Sequence, residues 1–321
     1  MKIVGYILPN SQLPNPFLLT HINFSFGEIY MKNNVYQKIG IHGGCSELKR
    51  VVDLKNENPN LKVLLSITSL VELDDNKRDG GFSQLCQDSY QRQLFIMDCL
   101  ELCNKFNLDG IDLDWEFPTL NWSNQTPLPN DIENYTLLVK EMRSIFKDKL
   151  ITIATHVNAK YMNIRELEKY VDFFNVMCYD LGEGEKLQYH NAIDNQCFNI
   201  KDSIKIYKNI LKDSNKYVMG IPLYIRYNYK SENRYLPINK VDFSNPKYII
   251  KKDNTIPFLY EKRNGVYKPI GSFEDKDSID IKSCIVRSND LGGFMIWNLA
   301  HDIDCKYLIM INNSLIIKEN I

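Results

Sequence analysis

Apolar residues along the chain fall into eight short runs, separated by segments in which apolar residues recur with helical spacing. The runs are rich in Val, Ile, Leu, Phe and Tyr, which is typical of buried β-strands. They lie at residues 2–8, 19–26, 63–67, 108–118, 150–155, 171–180, 217–224 and 292–297. Strands that alternate with helices predict a parallel sheet, and eight such units in 321 residues predict a closed (β/α)8 TIM barrel of the α/β class.

The segments between the strands support this interpretation. Residues 46–56, residues 83–106 and the segment that starts at residue 131 carry apolar side chains at helical spacing. Residues 227–277 lack that spacing and are rich in Tyr, Asn, Lys and Pro, which predicts a small β insertion between strand 7 and the last helix. No linker, repeat or low-complexity segment interrupts the sequence, so we expect residues 1–321 to form a single domain.

The fourth run contains the densest cluster of acidic residues. Side chains on a β-strand alternate between its two faces, so every second residue points the same way. The acidic residues on one face are Asp112, Asp114 and Glu116. The apolar residues on the other face are Ile111, Leu113 and Trp115. The pattern predicts a strand that packs on a core through one face and presents three carboxylates on the other.

Three neighbouring carboxylates disfavour each other's ionisation, so at least one is expected to have a raised pKa. Pairs of acids whose pKa values are pushed apart are suited to general acid catalysis at a glycosidic bond. Two alternatives are a solvated surface strand and a divalent metal site. The interleaved apolar residues disfavour the first, and the placement of all three acids on one strand disfavours the second. We therefore expect neither a metal nor a cofactor.

Composition excludes several classes of partner. The chain is 44% apolar and 25% charged with a formal net charge of −1, so no charge field favours nucleic acid or an anionic membrane. No apolar run has the length of a transmembrane helix. The apolar residues 1–8 lack a signal-peptide cleavage site and are interpreted as the first strand.

None of the eight cysteines forms a C-x-x-C pair, so we expect buried free thiols instead of zinc ligands.

Residues 109–116 read D-G-I-D-L-D-W-E, which resembles the D-G-x-D-x-D-x-E signature of glycoside hydrolase family 18, the chitinase family. Further segments along the whole chain are similar to that family. They are residues 21–26, the M-x-Y-D of residues 177–180, residues 220–226 and residues 292–297 followed by Asp302. The resemblance independently implies the same eight-stranded barrel.

Two segments depart from the family pattern. Residues 66–69 read S-I-T-S where the family has S-x-G-G, and residues 224–226 read Y-I-R where it has Y-G-R. Glycine allows positive φ and close backbone approach, which Thr and Ile do not easily allow. We therefore expect the loop after the third strand and the distal sugar subsites to differ from the family.

The active sites of such barrels lie at the carboxyl ends of the strands, so Glu116, the last of the three acids, is expected to reach furthest into the cleft as general acid. Strand spacing alone leaves retaining and inverting outcomes open. The resemblance implies retention, with the substrate's own acetamido oxygen as nucleophile. It also implies that Asp114 orients this amide, that Asp112 tunes Asp114 with Ser66 as hydrogen-bond partner, and that Tyr179 donates its hydroxyl to the acetamido group.

Other residues are candidates for substrate binding. Trp297 is a candidate sugar platform because an indole face suits the apolar face of a pyranose, although tryptophan is also common in cores. The remaining candidates, for which a core role is equally open in several cases, are Asp180, Met177, Tyr6, Phe26, Ser66 and Arg226. His301 has no role in the implied mechanism and is interpreted as structural.

The resemblance implies an enzyme that hydrolyses β-1,4 linkages in N-acetylglucosamine polymers such as chitin, acting as a monomer. An N-glycan core or peptidoglycan are alternative substrates, and a catalytically silent chitin-binding lectin is the alternative of a different class. Such lectins usually lack the last acid of the signature, so the presence of Glu116 favours the enzyme. The substrate class suggests action outside the cell, although no export signal is visible.

Overall fold

Eight parallel strands form a closed barrel in a computed structural model of the protein, which describes residues 1–68, 81–120, 126–182, 189–194, 198–226, 235–253 and 255–316. Each strand pairs with the next, and the eighth pairs with the first. Barrel strands 1 to 8 are Lys2–Ile7, His21–Lys32, Lys62–Thr68, Gly110–Asp114, Leu150–His156, Phe173–Met177, Tyr217–Pro222 and Gly293–Trp297. The predicted TIM barrel is confirmed.

Helices cover the outside of the barrel. Those of the described residues are Cys45–Val52, Phe82–Gln87, Ser89–Phe106, Asp131–Phe146, Ile164–Leu167, Ile200–Ile210, Lys276–Ser288 and Lys306–Ile316, and short 3-10 turns lie between several elements. The single helix predicted for residues 83–106 is wrong, because the chain is extended at Asp88. The Asp88 carboxylate accepts a hydrogen bond from the Gln91 N–H at 2.8 Å and so caps a new helix.

Barrel strand 2 is longer than predicted. It continues past residue 26 to Lys32 and forms an antiparallel hairpin with Val35–Ile41. The extension alternates buried Ile29 and Met31 with more exposed neighbours, which is the pattern of a strand with one covered face. Our prediction ended at residue 26 because Gly27 interrupts the continuous apolar run.

The insertion after barrel strand 7 is a small antiparallel sheet, as predicted. Its strands are Tyr248–Asp253, Ile256–Arg263 and Val266–Ser272. A short strand Leu236–Pro237 pairs with Tyr224–Ile225 next to it. Residues 227–234 of the predicted insertion lie outside the described residues, as do Ser69 of the departing third-strand loop and Cys197.

The start of barrel strand 4 is fixed tightly to its neighbours. A Cβ atom on Gly110 would lie 2.1 Å from the carbonyl oxygen of Leu150, so only glycine allows this approach. Asp109, the first acid of the signature, accepts a hydrogen bond from the Val63 N–H at 2.9 Å and from Lys55 Nζ at 2.8 Å. This acid is therefore structural and lies at the opposite end of the strand from the carboxylates of the cleft.

The two faces of barrel strand 4 are as predicted. Ile111 and Leu113 are fully buried beneath the helices. Trp115 stacks on Phe82 with ring centroids 5.3 Å apart and meets the edge of Tyr135 at 5.3 Å. This apolar face holds the strand to the helices Phe82–Gln87 and Asp131–Phe146, so the acidic face must turn inward.

The cysteines only partly follow the prediction of buried free thiols. Cys86, Cys99, Cys103 and Cys178 are buried and free, whereas Cys45 and Cys284 are exposed and Cys305 is partly exposed. Among the described residues, no helix has the length and apolarity needed to cross a membrane, and no group of three or more His, Cys, Asp or Glu side chains is arranged to hold a metal ion.

Candidate active site

Asp112 is the innermost carboxylate of the row and receives four hydrogen bonds inside the barrel. Its Oδ2 accepts from the hydroxyls of Tyr6 and Ser66, both at 2.7 Å. Its Oδ1 accepts from the Thr152 hydroxyl at 2.5 Å and from Asn175 Nδ2 at 3.0 Å. The predicted contact with Ser66 is present. Since Ser66 is fully buried, any contribution it makes to substrate binding passes through Asp112.

These four donors come from four different barrel strands, so Asp112 ties the interior of the barrel together. An ionised carboxylate has about four acceptor positions, and here all of them are used. Burial raises the pKa of Asp112, and the hydrogen bonds from Thr152, Tyr6 and Ser66 oppose that rise. These hydrogen bonds favour the ionised form of Asp112 inside the barrel.

We expect Asp112→Leu to lower the free energy of unfolding by more than about 3 kcal/mol, because each buried donor left unpaired costs about 1–3 kcal/mol. Asp112→Asn should stay within about 1 kcal/mol of the parent. The Thr152 hydroxyl can rotate to accept, and the unpartnered Oδ1 of Asn175 can turn to meet the new amide. Urea unfolding of both variants tests this, and equal destabilisation by the two substitutions would contradict it.

Asp114 and Glu116 form the middle and outer positions of the row. Asp114 is buried, and its Oδ1 has no hydrogen-bond partner among the described residues. Burial, followed by the charges of Glu116 and Asp112, raises the pKa of Asp114 well above its usual range. Burial and the charge of Asp180 raise the pKa of Glu116 to about 7. The expectation that at least one acid of the row has a raised pKa is confirmed in direction.

Glu116 lies at the outer end of the row of three acids. Barrel strand 4 ends at Asp114, yet the Glu116 side chain still lines the cleft and is partly exposed. A carboxyl group with a pKa near 7 keeps a proton in a large fraction of molecules at neutral pH, and it can also lose that proton. This is the property required of a group that serves first as an acid and then as a base.

Tyr179 and Asp180 face the two acids from the end of barrel strand 6. The only hydrogen-bond partner of the Tyr179 hydroxyl among the described residues is the sulfur of Met295, a weak acceptor at 3.8 Å, so this hydroxyl can donate to a ligand. Asp180 forms an ion pair with Arg226 and accepts from the Tyr224 hydroxyl at 2.8 Å. Arg226 therefore fixes Asp180.

His190 belongs to this cluster and was not singled out in the sequence, because a lone histidine in a polar loop has no informative spacing. It is fully buried, its Nδ1 lies 3.5 Å from Oδ1 of Asp180, and its ring lies against Tyr224 at 5.0 Å. Burial alone would raise the pKa of Asp180, but His190 and Arg226 together lower it. Asp180 is thereby kept ionised beside Glu116.

The loop that carries His190 is held by a buried ion pair. The next residue, Asn191, donates to Glu274 at 2.7 Å and to the Phe273 carbonyl at 3.0 Å. Glu274 in turn pairs with Lys282, and both side chains are fully buried. This network connects the loop to the helix Lys276–Ser288 and so fixes the position of His190 against Asp180.

Aromatic side chains form the floor of the cleft next to the acids. Trp297 is partly exposed and stacks near Phe26, with centroids 5.9 Å apart and planes 28° apart. Tyr6 meets the indole edge at 5.7 Å. Trp297, Phe26 and Met177 line a cavity of about 420 Å³ that also contains Asp114 and Glu116. A flat aromatic surface beside carboxylates is suited to a sugar ring.

A second cavity of about 570 Å³ lies on the other side of Glu116. Both cavities are lined by Glu116, Met177, Tyr179 and Asp180, so they are two arms of one cleft, which we call the tryptophan arm and the phenylalanine arm. In the phenylalanine arm, Phe117 stacks on Tyr161 at 5.4 Å, and His156 and Phe198 lie beside them. Phe117 follows Glu116 in the sequence. Tyr161, His156 and Phe198 come from distant segments, and their proximity was not predicted.

A closed barrel with a carboxylate pair at the carboxyl ends of its strands, in a cleft with aromatic walls, has the architecture of a glycoside hydrolase. The family model "Glycosyl hydrolases family 18" matches residues 2–302. The chain therefore belongs to glycosyl hydrolase family 18, as the resemblance implied.

Individual relatives are distant. Chitinase A1 of Niallia circulans is 28% identical over 313 residues, which cover 82% of this chain and 43% of that protein. The chain spans less than half the length of the first curated relatives it matches. Among solved structures, chitinase ChiW from Paenibacillus sp. str. FPU-7 matches with a TM-score of 0.84 and 25% identity over all of this chain and 43% of that one.

A family 18 N-acetylglucosaminidase from Paenibacillus barengoltzii has a TM-score of 0.80 to this chain at 23% identity, covering 98% of this chain and 99% of that one. At this identity the likeness shows the fold alone. It extends over both chains almost completely.

Proposed function

We propose that this protein hydrolyses β-1,4 linkages between N-acetylglucosamine residues of chitin or its oligomers, with retention of configuration and with Glu116 as general acid and base. The observation that carries the proposal is Glu116 itself, a partly exposed carboxyl group with a pKa raised to about 7 at the junction of two cleft arms. The chitinase names of the relatives support the same substrate class.

In the first step the cleaved sugar lies on Trp297 in the tryptophan arm, and the leaving group lies in the phenylalanine arm. The acetamido oxygen of the cleaved sugar attacks its own anomeric carbon. At the same time, the bond to the glycosidic oxygen breaks and Glu116 gives this oxygen its proton. The electron pair of the broken bond stays on the leaving oxygen, and the product on the enzyme is a cyclic oxazolinium ion.

Two side chains are positioned to act on this cation. Asp114, whose Oδ1 has no protein partner among the described residues, accepts the amide N–H of the acetamido group and stabilises the positive charge. Tyr179 donates its hydroxyl to the acetamido oxygen and orients it for attack. In the second step a water molecule gives its proton to the Glu116 carboxylate and attacks the anomeric carbon, which reopens the ring. Two displacements at one carbon retain its configuration.

The assay that tests this function measures the products released from a panel of substrates. Chitin oligomers, an N-glycan and peptidoglycan are each incubated with the protein, and the products are separated by mass. Release of N-acetylglucosamine oligomers from the chitin series supports the proposal. Tight binding of the same oligomers with no product would instead indicate the lectin.

We expect Asp180→Asn to move the alkaline limb of the kcat/KM pH profile to lower pH. The charge of Asp180 helps to raise the pKa of Glu116, so its removal lowers that pKa. The general acid is active when protonated, and activity therefore disappears at a lower pH as the pH rises. The control is Asp148→Asn, which removes an exposed charge near the amino-terminal end of barrel strand 5. An unchanged limb, or one moved to higher pH, would contradict this assignment.

A further inference from the structure

Glu28 extends the row of side chains that face the tryptophan arm. It pairs in register with Thr68 on barrel strand 3, and Thr68 pairs in register with Asp114 on barrel strand 4. Residues paired in register between parallel strands point to the same face of the sheet. Adjacent strands lie about 4.8 Å apart, so the Glu28 and Asp114 Cα atoms are separated by roughly 10 Å.

The Glu28 side chain lines the same cavity as Asp114, Glu116 and Trp297. The sugar on Trp297 presents its anomeric carbon to Glu116, and its leaving group lies in the phenylalanine arm. The next sugar on the non-reducing side must therefore extend through the tryptophan arm. Glu28 lies along that path, beyond Phe26 on barrel strand 2, and sequence analysis did not single it out.

Glu28 differs from the other acids of the cleft in its partners. Asp180 is paired with Arg226, and Asp112 accepts four hydrogen bonds. Among the described residues Glu28 has no ion pair, and its one hydrogen bond is a long contact of 3.4 Å with the Tyr30 hydroxyl. The one basic side chain of this cavity in the described part of the chain is His42, which is exposed to water.

A carboxylate that has no ion pair with the described residues of a sugar-binding cleft is suited to a positively charged sugar. An N-acetylglucosamine residue offers only a neutral amide at C2, whereas its deacetylated form, glucosamine, offers an ammonium group. An ammonium and a carboxylate in contact attract each other, more strongly in a cleft than in bulk water, and a neutral amide lacks this attraction. The same carboxylate repels an acidic substituent, such as the lactyl group of the muramic sugar in peptidoglycan.

We propose that Glu28 is a specificity-determining residue that binds the ammonium group of a glucosamine unit on the non-reducing side of the cleaved N-acetylglucosamine. The natural substrate is then partially deacetylated chitin, with an acetyl group required at the cleaved sugar and a free amine favoured at its neighbour. This inference rests on the proposed function and narrows its substrate class.

The test uses two fluorogenic disaccharides that differ by one acetyl group. Both carry N-acetylglucosamine linked to 4-methylumbelliferone, and the non-reducing unit is either glucosamine or N-acetylglucosamine. The measured quantity is the ratio of kcat/KM for the amine substrate to that for the acetylated one, at a pH where the amine is protonated. We expect a ratio above one in the parent that decreases as salt is added, because salt screens partly exposed charges.

The variant Glu28→Gln keeps the size and hydrogen-bonding capacity of the side chain and removes its charge. It should lower the ratio about fivefold. The matched control Glu57→Gln removes an exposed charge before barrel strand 3, at the opposite end of the barrel, and should leave the ratio unchanged. A parent ratio of one or less, or a ratio that Glu28→Gln does not alter, overturns the proposal.

Failure of the proposed function has a different signature, since the parent would then hydrolyse neither disaccharide. The preference for the amine over the acetylated sugar is in that case measured by binding. Calorimetric titration of the parent with the two free disaccharides, glucosamine–N-acetylglucosamine and di-N-acetylglucosamine, gives the ratio of their Kd values. Tighter binding of the amine that Glu28→Gln abolishes supports the role of Glu28, and equal binding overturns it.

Discussion

Glu116→Gln is expected to lower kcat on chitin oligomers by two to four orders of magnitude and to leave their Kd within a few-fold of the parent. Positioned acid–base catalysis is worth about 10²–10⁴-fold. The amide keeps the shape of the side chain but has no acidic proton to give to the leaving oxygen. Glu116 is partly exposed and lines both cleft arms, so an uncharged side chain of the same size is accommodated there.

The leaving group provides an internal control for this prediction. A phenol that leaves readily as its anion needs little protonation, so Glu116→Gln should slow a dinitrophenyl glycoside of N-acetylglucosamine far less than it slows a chitin oligomer. Initial rates on both substrates, with calorimetric binding of the oligomer, measure the effect. Wild-type turnover of the oligomer, or an equal loss on both substrates of kcat/KM, which excludes the second step that they share, would show that Glu116 is not the general acid.

The second large effect is expected when the acetyl group is removed from the cleaved sugar. If the attacking oxygen belongs to the acetamido group, fully deacetylated glucosamine oligomers should show no detectable hydrolysis. Holding a nucleophile within the same molecule is worth several orders of magnitude in rate. Asp112 is not expected to replace it, since it is saturated by four donors. Cleavage of the deacetylated oligomers would instead assign the attack to Asp114.

Variants of the residues around the acetamido group test the same step. A stable cyclic mimic of the oxazolinium ion should inhibit the parent, because it resembles the charge that Asp114 and Tyr179 are positioned to stabilise. Tyr179→Phe should weaken this inhibition and slow turnover while the barrel remains folded. Asp114→Asn should lower kcat more than Asp112→Asn does. Tyr179→Phe with unchanged inhibition and turnover would remove the hydroxyl from the mechanism.

The fold and the acid row could be predicted because both depend on local periodicity. Alternation along residues 110–116 assigns each side chain to a face, and Trp115 confirms this by packing on Phe82 and Tyr135. The predicted bounds of two elements were wrong, in each case because a single residue interrupts the periodic pattern. Asp88 ends one helix and caps the next. Gly27 interrupts the apolar run, although the strand continues past it with one buried face.

Contacts between segments that are distant in the sequence could not be predicted from its patterns. The four donors to Asp112 come from barrel strands 1, 3, 5 and 6, and only Ser66 was anticipated, through the resemblance. His190 and the Glu274–Lys282 ion pair come from separate segments that the hydrogen bonds of Asn191 connect in the fold. The phenylalanine arm likewise combines Tyr161 and Phe198 from separate loops, and no spacing in the chain connects them.

The central claim is that this protein cleaves by a double displacement in which the substrate supplies the nucleophile. The most direct test is proton NMR of the first anomer released from a chitin oligomer, recorded before mutarotation, with a deacetylated oligomer in parallel. We expect the β anomer from the acetylated oligomer and no product from the deacetylated one. A first product in the α configuration, or cleavage of the deacetylated oligomer at a comparable rate, would contradict it.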